Sequence, residues 1–136
     1  MTRLSSPRVV LDTNVLVAAG FRPRSASGRL AAAVRQGALV HVWCDATRAE
    51  ADHLLSTIPP LRGTDAEALF PEAGRFASPL NPGAYPGVPG TLDRTFAALA
   101  DAAGVPLVTA DGPLAAGARA HGLAVLSPAA AARGLL

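Results

Sequence analysis

The chain has 136 residues, half of them hydrophobic and 16% charged, with a single cysteine and a net charge of +2. That composition excludes a disordered chain, an internal disulfide and a multi-cysteine metal site, and no apolar run reaches membrane-spanning length. All twelve basic residues are arginine, a bias that permits nucleic-acid binding without demanding it and that a GC-rich genome would equally produce.

In chain order, residues 8–11 read as a first strand and 13–20 as a helix stopped by Gly20. A loop follows, and Ser25 or Ser27 caps a second helix over 28–36 with Leu30, Ala33 and Val34 facing inward. Residues 39–43 form a second strand. Asp45 is positioned to cap a third helix over 46–56, with Ala46, Ala49 and Leu54 in its apolar stripe. Pro59-Pro60 stops that helix. Thr64 to Glu67 has capping-box spacing, predicting a short helix through Phe70 that gives Glu67 a structural job. A short strand over 75–80 precedes an irregular loop, 81–90, with three prolines and three glycines. Thr91 then caps a helix over 92–103 closed by Gly104. A strand over 105–110, a helix over 113–121, a strand over 123–126 and a helix opened by Ser127-Pro128 complete the chain.

Strands alternating with helices predict one α/β domain over 1–136. Its sheet is mainly parallel, has about five strands, and is covered by helices on both faces. The single Cys44 follows Trp43 in an apolar run and reads as a buried thiol. No long apolar leader stands at the N-terminus, so the cytoplasm is the expected compartment.

Only ten carboxylates are present, so their placement carries information. Asp12 and Asp111 each end an apolar β-like run and precede a helix. In a parallel sheet both reach the same edge. Asp93 opens the helix that feeds the Asp111 strand, and Glu50 lies one turn into the helix after the second strand. Taken singly, each acid has a plain structural role: Asp12 and Asp111 as helix caps, Asp93 as a favourable first-turn charge, Glu50 as a solvated helix face. Together, four acids from four elements meeting at one edge would repel unless a cation compensates. Hard oxygen ligands of this kind favour Mg²⁺ or Mn²⁺, and such ions serve phosphodiester hydrolysis.

At these residues the chain resembles the PIN-domain nucleases. Asp12-Thr13-Asn14 after the first strand is similar to the family's opening motif. Asp93, Ala100, Gly104 and the run Leu107-Val108-Thr109-Ala110-Asp111 resemble its second signature, an acid-started helix followed by a strand ending in Thr-x-Asp. Glu50, within Arg48 to Leu55, matches the acid of the intervening helix, and Val125-Leu126-Ser127-Pro128 resembles the last strand and exit. The resemblance implies a three-layer α/β/α sandwich in which Asp12, Glu50, Asp93 and Asp111 are catalytic and hold Mg²⁺ or Mn²⁺, supported by Asn14 and Thr109. It further implies an endoribonuclease toxin of the VapC-like kind, neutralised by a small antitoxin and able to form a homodimer. Arg22, Arg24 and Arg29 are candidates for RNA phosphate contacts, with solvated surface arginines as the plain reading.

Two departures from the family pattern motivate an alternative from a different class of function. Gly112-Pro113 supplies no further acid after Asp111, and Leu92 stands where close relatives carry acids. A PIN-like module that binds protein or RNA with little or no activity is therefore the alternative. An α/β phosphatase using an early Asp nucleophile is a third reading, opposed by the absence of any lysine beside a phosphate site.

Overall fold

A computed structural model describes residues 5–136. The strands are short and parallel. The first, β1 (Arg8–Leu11), lies between β2 (Val40–His41) and β3 (Leu107–Val108), and β4 (Val125–Leu126) pairs with β3, giving the order β2-β1-β3-β4. Register is fixed by Val9 opposite His41, Leu11 opposite Val108, and Val108 opposite Leu126. Among the described residues six helices flank the sheet: α1 (Thr13–Phe21), α2 (Ala26–Arg35), α3 (Asp45–Thr57), α4 (Thr91–Ala103), α5 (Gly112–Ala120) and α6 (Pro128–Leu135).

The period-two alternation of a strand explains the layering. Val9 and Leu11 point to one face, where they join Leu16, Leu30, Val34, Leu55 and Ala131 from α1, α2, α3 and α6. Val10 points to the other, against Phe96, Leu99, Leu114 and Ala118 of α4 and α5. Both faces of β1 are therefore dry, as an apolar strand in an all-parallel sheet requires. The inward residues expected of α2, Leu30, Ala33 and Val34, are buried, as are Phe96, Leu99 and Ala100 of α4.

Among the described residues the sheet has four strands, not the expected five or so. The strand expected over 75–80 reduces to a single parallel bridge between Trp43 and Arg75, because the partner chain turns into α3 at Asp45 and offers no further strand to pair with. The helix expected through Phe70 is only a 3₁₀ turn, Glu67–Leu69. Phe70 precedes Pro71, and a residue before proline is pushed out of the helical region. Glu67 reaches Arg48 instead, at 2.6 Å.

Two caps also differ. Cys44, not Asp45, is the N-cap of α3; its N–H donates to the Thr47 hydroxyl at 3.1 Å. Asp45 is exposed and faces Arg75 at 3.4 Å. With Thr47 drawn inward, the buried stripe of α3 is Thr47, Ala51 and Leu55, while Ala46 and Ala49 are exposed. Of the two candidate serines, Ser25 caps α2, accepting from Gly28 N–H at 3.1 Å. Gly90, not Thr91, precedes α4, at φ 85°, with no side chain capping the helix. No helix among the described residues is long and apolar enough to cross a membrane.

Candidate acidic site

The site begins where the chain order reverses. From β1 the chain passes to α1 on one face of the sheet; from β3 it passes to α5 on the other. The loops at the carboxyl ends of these two neighbouring strands diverge, and such a switch point opens a crevice at the sheet edge. Asp12 and Asp111 stand on its two sides, each serving as the N-cap of the helix it precedes. Asp12 Oδ1 accepts the Asn14 N–H at 3.3 Å, and Asp111 Oδ1 accepts the Leu114 N–H at 2.8 Å.

Thr109 joins the two acids. The Asp12 N–H donates to Val108 O at 3.0 Å, which brings Asp12 beside Thr109 across the strand pair. The Thr109 hydroxyl donates to Asp12 Oδ2 at 2.7 Å and accepts the Asp111 N–H at 3.0 Å. Thr109 is 3% exposed and Asp12 4%, so this bond is made away from bulk water, where a charge-assisted hydrogen bond is strong.

Asp93 enters from α4. It lies in the first turn, where a negative charge suits the helix dipole, and its carboxylate lies over Gly90: a Cβ at Gly90 would stand 3.6 Å from Asp93 Oδ2. Burial and then the charges of Asp111 and Asp12 push Asp93 above the usual carboxylate range. Asp12 is also raised, chiefly by burial and further by Asp111, against the lowering effect of the Thr109 and Asn14 hydrogen bonds. Asp93 thus feels the charges of both other acids, and Asp12 that of Asp111, as like charges do at one sheet edge.

Glu50 is not brought into this group. It is half-buried on α3, a helix that packs against both α1 and α4, but its charge is not among those that shift Asp12 or Asp93. The side chain of Asn14 is exposed, and its part in the site is the backbone N–H on Asp12. Arg22, Arg24 and Arg29 are exposed and form no ion pair among the described residues. Arg22 lies past the far end of α1, roughly 15 Å along the helix axis from Asp12 at 1.5 Å per residue. His41 is a core residue, hydrogen-bonded through Nδ1 to Leu69 O at 2.9 Å, and His53 is exposed. Two residues outside the site set expected from sequence, Gly90 and Thr13, also border these acids. Thr13 Oγ1 is buried with no hydrogen-bond partner among the described residues, beside an acid that is itself buried. A glycine directly before a helix start was the available signal for the first; nothing local marked the second.

Neither a protein-family model nor a curated protein matches this chain. The crystal structure of PAE2754 from Pyrobaculum aerophilum does. It superposes with a TM-score of 0.59 over 98% of each chain, at 15% sequence identity. That likeness is one of fold: an α/β architecture with a parallel sheet, continuous over almost the whole length.

The donor set suits a hard divalent cation. Each carboxylate oxygen has two lone pairs, so the bonds that anchor Asp12 and Asp111 leave acceptor capacity on both, and Asp93 makes no hydrogen bond among the described residues that would compete. As the side chains lie, however, no three His, Cys, Asp or Glu groups among the described residues stand close enough to enclose an ion.

Proposed function

We propose that the protein is a metal-dependent endoribonuclease of the PIN-like kind, the toxin of a toxin–antitoxin pair. The observation that carries this reading is the placement of Asp12, Asp93 and Asp111 at one sheet edge, where burial and the neighbouring acids disfavour the charges of Asp12 and Asp93 that a bound cation would restore. Asp12, Asp93 and Asp111 would hold Mg²⁺ or Mn²⁺, with Glu50 reaching in from α3. Such an ion, when bound, supplies electrophilic stabilisation of phosphate oxygens and a more acidic water.

The chain's own residues have separate tasks in this reading. Thr109 orients Asp12 and keeps it in place while substrate enters. Asp111, anchored by one oxygen to the start of α5, presents the other. Asp93, the acid without a hydrogen-bond anchor, is free to turn toward a water and take its proton as the water oxygen attacks phosphorus. The proton need of the departing RNA oxygen is met from solvent, to which Asp93 and Asp111 are partly open. Between Asp12 and Asp45 the sequence carries four arginines and no acid. That one-sided charge supports Arg22, Arg24 and Arg29 as contacts for an RNA backbone and the same region as a surface for an acidic antitoxin.

One observation favours a second reading, a PIN-like module that binds without cutting: the acids do not close into a cage, and Glu50 stands apart. Cleavage of a mixed RNA panel by the partner-free protein separates the two. With Mn²⁺ or Mg²⁺ the wild type should cut, EDTA should stop it, and folded Asp12→Asn should be inactive. RNA binding without cleavage under any metal would favour the module. Cleavage that survives both EDTA and the substitution would assign the activity to a contaminant and overturn its attribution to this site.

A further inference from the structure

Asp93 stands on a helix whose start is not held by a cap. Asp12, Ser25, Asp111 and Ser127 each accept a hydrogen bond from the first turn of the helix they open, but Gly90 has no side chain to do so. The beginning of α4 must be fixed some other way, since its first N–H groups lack an internal partner.

The segment before it does the fixing. The Tyr85 hydroxyl donates to Asp101 Oδ2, near the far end of α4, and the Tyr85 ring meets His121, just past the end of α5, edge-on with centroids 5.2 Å apart. Gly87 O lies so close to α5 that a Cβ on Gly117 would come within 2.6 Å of it. Val88 is fully buried in the core between the two helices, and its carbonyl accepts Arg94 Nε–H at 2.7 Å, tying the segment back to the first turn of α4. The chain reaches Gly90, and hence Asp93, through these contacts.

We propose that residues 85–90 are a strap that sets the spacing of α4 against α5, with Tyr85 as its positioning residue, so that a contact at the far edge of the sheet fixes where Asp93 stands relative to Asp111. This rests on reading the acid cluster as the working site. Tyr85 is suited to the task because burial and the neighbouring Asp101 push its hydroxyl pKa up to about 12, so it remains a donor at neutral pH.

The test uses the full chain as wild type, Tyr85→Phe, Asp101→Asn and Gly117→Ala, with two readouts: amide hydrogen exchange over residues 91–95 and Mn²⁺ affinity by calorimetry. Tyr85→Phe removes one oxygen. It should raise exchange in the first turn of α4 by about tenfold and weaken Mn²⁺ binding by roughly three- to tenfold. Asp101→Asn should keep near-wild-type values, because the amide oxygen accepts the same bond. Gly117→Ala should reproduce the loosening with the hydroxyl intact, by pushing on the Gly87 carbonyl. Unchanged exchange over 91–95 in both Tyr85→Phe and Gly117→Ala, or an Asp101→Asn chain as loose as Tyr85→Phe, overturns the strap. If wild type takes no Mn²⁺, the metal reading of the acids falls, and the exchange comparison alone decides the strap.

Discussion

Replacing Thr109 by valine keeps its shape and removes the one atom that links the two caps. Its hydroxyl gives Asp12 Oδ2 a hydrogen bond of 2.7 Å and receives the Asp111 N–H at 3.0 Å. A hydrogen bond to a charged group contributes about 1.5–3 kcal/mol, and a half-buried amide left without its acceptor adds about 1 kcal/mol. The expected cost of Thr109→Val is therefore about 2–4 kcal/mol in urea unfolding at pH 7.5. The pH dependence carries the mechanism. Asp12 already holds its proton above the usual range, and losing the donor raises it further. A group whose folded-state pKa is raised loses stability as pH climbs from its unfolded value to its folded one. In the variant that loss extends to higher pH, so the deficit is complete at pH 7.5 and smaller at pH 5. Thr13→Val provides the contrast: its buried hydroxyl has no partner among the described residues, and its removal should cost less than about 0.5 kcal/mol. A Thr109→Val deficit below about 0.5 kcal/mol, or one identical at the two pH values, would refute the assigned role of this hydroxyl.

Asp93→Asn should stabilise the fold at pH 7, by up to about 1 kcal/mol for a half-exposed charge, while abolishing metal-dependent cleavage. The gain should vanish below pH 3.8, where the carboxyl is neutral in both states, and thermal melts across pH would show it. His41 is held neutral by burial, with its pKa lowered from 6.5 to about 4. Its contribution is present above pH 6.5 and is lost as pH falls through 4, worth about 3 kcal/mol at 1.36 kcal/mol per unit; stability of His41→Leu should be flatter over that window. Changing Arg22, Arg24 and Arg29 together to glutamine should lower the slope of log affinity against log salt for single-stranded RNA by about 2. An unchanged slope would remove these arginines from the RNA path.

The parts of this molecule readable from sequence are those governed by short-range patterns. Val9 to Leu11 announce a strand by their apolar run, and Asp12, Asp111 and Ser127 announce helix starts by their chemistry. The meeting of Asp12, Asp111 and Asp93 followed from parallel topology, because alternating strands and helices bring their carboxyl ends to one edge. What sequence could not supply depended on longer-range geometry. Asp45 and Cys44 are adjacent, and only the turn of Thr47 toward the core decides which one caps α3. Residues 75–80 look strand-like, yet one bridge at Arg75 is all that forms before Pro79. Glu50 sits at the expected helical position, but whether its carboxylate turns toward Asp12 is a matter of helix rotation, which a pattern of small alanines does not determine.

Asp12 and Asp111 each carry a helix start as well as a charge, whereas Asp93 does not. This divides the three acids by what selection would see. A descendant that abandoned chemistry would still need a capping oxygen at 12 and 111, and aspartate or asparagine would persist there for folding alone. Position 93 has no such protection and, carrying repulsion, would be the first to drift. If the acids work as proposed, the acid at 93 is therefore the sensitive marker of retained activity across a lineage, and the pair bridged by Thr109 the insensitive one.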